Sequence, residues 1–144
     1  MLVRQILQRK SDDSVLSVKP GTLVAEAAKI LAERRIGTVV VSRDGNLPDG
    51  ILSERDIVRE LATRGADCLA EKVDTYMTSK LVTCTLGETA DSVMEKMTTG
   101  RFRHMPVVED GLMVGLISLG DVVKARLSEL SMEKDALEGM IMGH

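Results

Sequence analysis

GILSERDIV at residues 50–58 returns, altered, as GLISLGDVV at residues 115–123, and this double occurrence decides how the chain is divided. A chain of 144 residues suits one ordinary domain, but a phrase written again 65 positions on (115 against 50) implies two similar modules. Each half alone is close to the size at which a chain struggles to bury enough apolar surface. The halves are therefore expected to pack on each other and share a core. With 44% apolar residues but one Tyr, one Phe and no Trp, that core has to be built from aliphatic side chains and nine Met.

The repeat extends well beyond the phrase. VRQILQRK from Val3 matches VDTYMTSK from Val73, with Val3, Leu7 and Lys10 facing Val73, Met77 and Lys80, so each half opens on a short helix. LSVKPGTLVAEAAKIL from Leu16 matches VTCTLGETADSVMEKM from Val82, and the offset drops from 70 to 66. The extra residues of the first half read as a loop around SDDS, residues 11–14. Val24, Ala27, Ala28 and Leu31 are spaced i, i+3, i+4, i+7, as are Ala90, Val93, Met94 and Met97, which predicts two helices with one buried stripe each. The valine-rich runs IGTVVVSRDG and FRHMPVVEDG follow, each closed by Asp-Gly and succeeded by GILS or GLIS, which reads as strand, tight turn, strand. Pro48-Asp49 stands against Val114 alone, so the first hairpin is expected to be irregular there, with a late second strand. A further helix follows each phrase, the first ending near Gly65.

The last helix has a longer apolar stripe. Val123, Leu127, Leu130, Leu137 and Ile141 keep a four-three spacing interrupted only by Lys134, so it either seals a homodimer or packs back on its own module.

Composition narrows the function. A net charge of −3 and the lack of aromatics among the Lys and Arg residues argue against nucleic acid as a partner. No apolar run approaches the length that crosses a bilayer, and MLVRQILQRKSDD does not read as a signal peptide, so no membrane partner and a cytoplasmic location are expected. Cys68 and Cys84 are too few for a disulfide framework, and no His, Cys or carboxylate cluster has metal-ligand spacing, so no metal is expected. Of the two His, His144 is the last residue and His104 has no nucleophile or acid in sequence reach, so an enzyme is not expected.

Ser53 stands three before Asp56, and Ser118 three before Asp121, each pair where a strand runs into a helix. Two readings fit this spacing. The Ser can cap the helix while the Asp bonds back, worth about 0.5 to 2 kcal/mol. Equally, helix-start amides and a Ser hydroxyl can meet a phosphate while a carboxylate holds the paired hydroxyls of a ribose. RFRHMPVV adds Arg101, Arg103 and His104 before the second half's first strand, either a solvated basic edge or a phosphate clamp. The first half keeps Arg35 opposite Arg101 but has Gly37 and Thr38 opposite Arg103 and His104, so the two sites are chemically unequal.

Two copies of helix, strand, Gly-x-x-Ser-x-x-Asp and helix, with RFRHMPVV before the second hairpin, resemble the tandem cystathionine-beta-synthase (CBS) domain pair, or Bateman module. The resemblance runs from about Val3 to Leu130 and implies an α+β (mixed α/β) fold: two β-α-β-β-α repeats, residues 1–66 and 67–130, packed sheet to sheet about a pseudo-twofold axis. Residues 131–144 form a helical extension outside it. It further implies two clefts for adenosine ligands such as AMP, ADP, ATP, S-adenosylmethionine or NADH. By match, Asp56 and Asp121 hold the ribose with help from Ser53 and Ser118, beside Arg55. Ile36, Gly37 and Thr38, then Arg103 and His104, line the clefts, the last two facing phosphate. Val18 to Pro20 and Val82 to Leu86 resemble ligand-facing segments. The expected function is an adenine-nucleotide sensor acting through its dimer or an effector protein. The alternative is a ligand-free, partner-binding module whose Ser-x-x-Asp pairs only cap helices.

Overall fold

All four positions of β2 (Thr38–Val41) are buried, as a valine run covered on both faces should be. In the computed structural model, which describes residues 1–10 and 15–141, β2 is the centre of a three-stranded sheet. β1 (Ser17–Val18) runs parallel to it and β3 (Gly50–Ser53) antiparallel. The second half carries β4 (His104–Glu109) and β5 (Leu112–Ser118), with Cys84 bridging in parallel to Val107 where β1 would pair. The loop expected at residues 11–14, and His144, lie outside the described residues.

Each sheet is flanked by helices read from the sequence. α2 (Val24–Arg34) and α5 (Ala90–Gly100) bury Val24, Ala27 and Leu31, and Ala90, Val93 and Met97. α3 (Glu54–Arg64) ends at Gly65, whose φ of 72° is one that glycine adopts without strain. α6 (Leu119–Ile141) continues for 23 residues yet buries only Val122 and Ala125.

The short opening helices, α1 (Val3–Arg9) and α4 (Val73–Tyr76), change sides. Val3 and Ile6 pack with Val93, Met105 and Ile117 of the second half, whereas Val73 packs with Val24, Val39 and Leu52 of the first. Backbone bridges from Leu2 to Thr89 and from Leu23 to Lys72 fix the exchange. Instead of one shared core there are two, each completed by a helix from the other half. Full burial of a valine is worth about 1.5 to 3 kcal/mol, so the exchange ties the halves together.

The repeated glycines of the phrase follow from the same packing. A Cβ on Gly50 would collide with Met77, the residue that caps the end of α4, and one on Gly115 would stand 2.9 Å from Leu7 of α1. Met77 and Leu7 are equivalent positions of the repeat.

The hairpins differ. Asp110 and Gly111, at φ of 52° and 75°, make the tight two-residue turn expected between β4 and β5. Between β2 and β3 the turn is not tight, because Val41 pairs with Gly50 and the chain loops out between them. The Asp44 carboxylate accepts from the amides of Asn46 and Leu47, and Asp49 accepts from the Arg43 amide at 2.7 Å, which stabilises the wider loop.

Candidate functional site

Both Ser-x-x-Asp pairs close as helix caps. The Ser53 amide donates to Asp56 Oδ2 at 2.9 Å and the Asp56 amide to Ser53 Oγ at 3.1 Å. Ser118 and Asp121 repeat these distances at the start of α6. Capping uses one oxygen of each carboxylate and leaves Oδ1. In Asp56 this atom has only a 3.5 Å contact to the exposed Arg59.

Asp56 stands in a cleft of about 510 Å³ built from both halves. Of the residues singled out from the sequence, it brings together Gly37, Ser53, Arg55, Asp56, Val82, Arg103 and His104. Arg59, Thr78, Lys80, Leu81 and Phe102, none of them anticipated, complete the wall with Arg101. Lys80 had a signal in the sequence, since it matches Lys10 in the repeat. Arg59 follows Asp56 by three residues, one helical turn on, and so had to share its face. Arg55, Arg59, Lys80, Arg101 and Arg103 set five cations against Glu54 and Asp56, a balance that attracts an anion.

Arg101 caps the end of α5 at φ 56°, a left-handed conformation costly for any residue with a Cβ, and Arg35 does the same for α2 at φ 54°. His104 faces its repeat partner across the junction of the sheets. Its Nδ1 lies 3.0 Å from the hydroxyl of the buried Thr38, so Thr38 meets the site through this bond. Burial pushes the His104 pKa below the usual histidine range, and Lys10 and Arg103 press the same way against the opposite pull of Asp121. At neutral pH His104 is therefore an uncharged hydrogen-bonding group rather than the cation its place beside Arg103 implied.

Val18, Pro20 and Ile36 do not line the cleft. Val18 pairs with Val41 in the sheet and, like Ile36, packs on the first core, while Pro20 enters a turn before α2. Ser118 and Asp121 lie outside it as well, in two separate cavities against α6. Lys10 Nζ holds Asp121 Oδ2 at 3.0 Å. Burial raises the Asp121 pKa, but bonds from the Ser118 amide and Lys10 outweigh it, and the net direction is down.

The buried Cys84 has its thiol pushed up to about 12 by burial first and Glu88 second, which leaves it protonated and unreactive. Among the described residues no three His, Cys, Asp or Glu side chains stand close enough to hold a metal ion. No described helix is long and apolar enough to cross a membrane.

Comparison with known proteins assigns the architecture. The CBS domain family model matches twice, at residues 3–63 and 73–128. The chain is 34% identical over 139 residues to the mitochondrial CBS domain-containing protein CBSX3 of Arabidopsis thaliana, covering 94% of this chain and 68% of that protein. The crystal structure of the CBS-domain containing protein ATU1752 of Agrobacterium tumefaciens superposes with a TM-score of 0.82 at 45% identity, over 88% of this chain and 99% of the other. CBS domain protein PAE2072 of Pyrobaculum aerophilum, complexed with AMP, superposes with a TM-score of 0.76 at 27% identity, over 92% and 99% of the two chains. Two family matches over a twice-written Gly-x-x-Ser-x-x-Asp fold lead to one statement: this chain belongs to the CBS domain family and consists of a tandem pair.

Proposed function

We propose that the chain is a regulatory, non-catalytic module that takes up an adenine nucleotide, AMP, ADP, ATP or NADH, in the cleft of Asp56. The observation that carries this reading is the pairing in one cleft of a carboxylate with an oxygen turned from its cap and five cations. Asp56 would accept from the ribose hydroxyls, assisted by Ser53. Val82 and Leu81 would cover the base, while Arg103, Arg101 and Lys80 would meet the phosphates, with neutral His104 as a further donor. A relative seen with AMP supports the ligand class. The cleft is made from both halves, so a ligand there would clamp them together and could be reported to a partner.

Output is proposed to pass through a homodimer or an effector protein in the cytoplasm. α6 supports the dimer: its Leu127 is 62% and Ile141 84% exposed, on the helix whose spacing suits a seam. Sedimentation of the Leu127→Lys variant as a monomer would agree, and an unchanged dimer would move the seam elsewhere.

A second reading has its own observation, because both Ser-x-x-Asp pairs do cap their helices. A ligand-free module built for partner binding needs nothing more from them. Thermal shift of the purified protein against AMP, ADP, ATP, NAD, NADH and S-adenosylmethionine separates the two. A ligand at about 100 times its Kd adds roughly 2.7 kcal/mol, a shift of several degrees. Shifts for particular nucleotides that vanish in Asp56→Ala are expected. No shift with any of the six would leave capping as the whole role of the phrase.

A further inference from the structure

From Ser131 onward the described residues of α6 are all exposed or half-buried, although Leu137, Met140 and Ile141 stand among them. Near its start the same helix borders an apolar hollow of about 450 Å³, lined by Leu119, Val123 and Leu127 with Arg103, His104 and Lys124 around them. An exposed aliphatic end and an open apolar hollow on one helix complement each other when a second α6 runs the opposite way. In a twofold pair each contact is made twice, residue i on j and j on i. Between antiparallel helices the numbers of facing residues therefore add to one constant value along the seam. The stripe of α6 keeps this condition throughout: Val123 falls opposite Ile141, Leu127 opposite Leu137 and Leu130 opposite Lys134. Charge separates the two directions. With parallel helices in register, Lys134 would meet its own copy inside the seam, and Glu133 would lie beside Glu138 on both sides. With antiparallel helices Lys134 passes over Leu130 instead, and Lys124 lies beside Glu138 on both sides, with Glu133 meeting its own copy once at the exposed edge. Lys124 and Glu138 are both exposed, and Glu138 has only a loose 3.9 Å contact to Lys134 within its own helix.

We propose that two copies of the chain pair through α6 in antiparallel, with the partner's Ile141 seated in the hollow beside Val123 and the partner's Glu138 against Lys124. The inference rests on the homodimer reading of α6 and adds the direction, the register and the hollow that is filled. Arg103 and His104 line this hollow and the Asp56 cleft alike, so the seated helix end backs a wall of that cleft. Val123 and Ile141 of one copy stand about 27 Å apart along the helix, at about 1.5 Å per residue. Parallel and antiparallel seams therefore bring different residues together.

Oxidative cross-linking of the full chain tests this, the native Cys68 and Cys84 being buried. Val123→Cys and Ile141→Cys should each stay unlinked alone, because their thiols lie at opposite ends of the seam. Mixed and left to exchange subunits before oxidation, the two variants should give a disulfide-linked dimer. A link in either variant alone would make the seam parallel. No link even in the mixture, with a wild type that sediments as a dimer, would put the contact elsewhere. Both results would overturn the proposal and leave the homodimer intact, whereas a wild type that sediments as a monomer would overturn the homodimer reading itself. Charge reversal checks the register without cysteines. Lys124→Glu and Glu138→Lys should each raise the dimer Kd about tenfold in sedimentation equilibrium, and the double variant should return to within about twofold of the wild type. A double variant weaker than either single one would overturn the register.

Discussion

Ser53–Asp56 and Ser118–Asp121 form the same cap with the same distances, yet their surroundings differ. Asp56 opens on a cleft rich in cations from three segments of chain, and Asp121 is bonded by Lys10, the residue that follows α1, in a separate cavity. The four-residue phrase determines its own hydrogen bonds. What the carboxylate is then available for is decided by the opening helix that docks beside it, α4 in one half and α1 in the other. A repeat can thus keep its local chemistry and divide its tasks.

The largest expected effects test that division directly. Asp56→Ala should weaken nucleotide binding on the order of 100-fold, because hydrogen bonds to a charged carboxylate are worth about 1.5 to 3 kcal/mol. Its unfolding free energy should fall by only about 1 kcal/mol, the value of a cap. Asp121→Ala should do the reverse, leaving affinity alone while costing about 2 kcal/mol, since both the cap and the partner of Lys10 are lost. Calorimetry and urea unfolding of the two variants read both quantities. The same order of effects at both aspartates would erase the distinction between the halves.

Next come the glycines under the opening helices. Gly50→Ala and Gly115→Ala should each destabilise by about 1 to 3 kcal/mol through overpacking. Gly50 should be the worse, because its added methyl would meet the Thr78 carbonyl at 3.1 Å as well as Met77, while at Gly115 it would meet only the Leu7 side chain. Backbone in a bridged strand cannot step aside as a leucine can. Equal losses in urea unfolding would mean that α1 and α4 yield alike.

Much of this was legible because it is local or repeated. The helix stripes of α2 and α5, the caps and the Asp110-Gly111 turn follow from spacing and from matching one half to the other, whereas a cleft gathering Ser53, Asp56, Arg103 and His104 is what the CBS resemblance implied. The exchange of α1 and α4 was not legible, because Val3 and Val73 suit either core and periodicity carries no address. The wide first hairpin was half visible: Pro48-Asp49 marked an irregularity, but the Asp44 and Asp49 bonds that stabilise the loop depend on its closed shape. Val18 stays out of the Asp56 cleft for a related reason. It aligns with Cys84, and both are sheet-pairing positions turned from the cleft, whereas Val82 lies two residues before Cys84 and reaches it.

A smaller effect sharpens the contrast at the helix ends. Arg35 and Arg101 share a left-handed conformation at φ of 54° and 56°, where glycine would be relaxed. Replacing either by Gly should raise stability by up to about 1 kcal/mol. Only Arg101→Gly should also weaken nucleotide binding, since only Arg101 lines the Asp56 cleft. Thermal melts and calorimetry on the pair check both halves of the statement, and a loss of affinity in Arg35→Gly would bring in a second binding site.

The smallest effect lies where the two halves touch. His104 is uncharged in the fold because burial lowers its pKa below an unfolded value of about 6.5. The unfolded chain therefore binds more protons than the folded one just below that pH. The contribution is fully present above about pH 6.5 and is lost as pH falls toward the folded-state pKa. Melting temperatures measured from about pH 8 to 5 should decline in this window for the wild type, and His104→Gln should flatten that part of the curve while keeping a hydrogen-bonding group for Thr38. Asp121→Ala should steepen it, because the Asp121 charge, ahead of Glu54, draws the His104 pKa back up. Thr38→Val should lower the whole curve without altering the slope, since burial rather than the Thr38 hydroxyl keeps the ring neutral. A slope that survives in His104→Gln would assign the proton to another group and leave the junction of the sheets indifferent to pH.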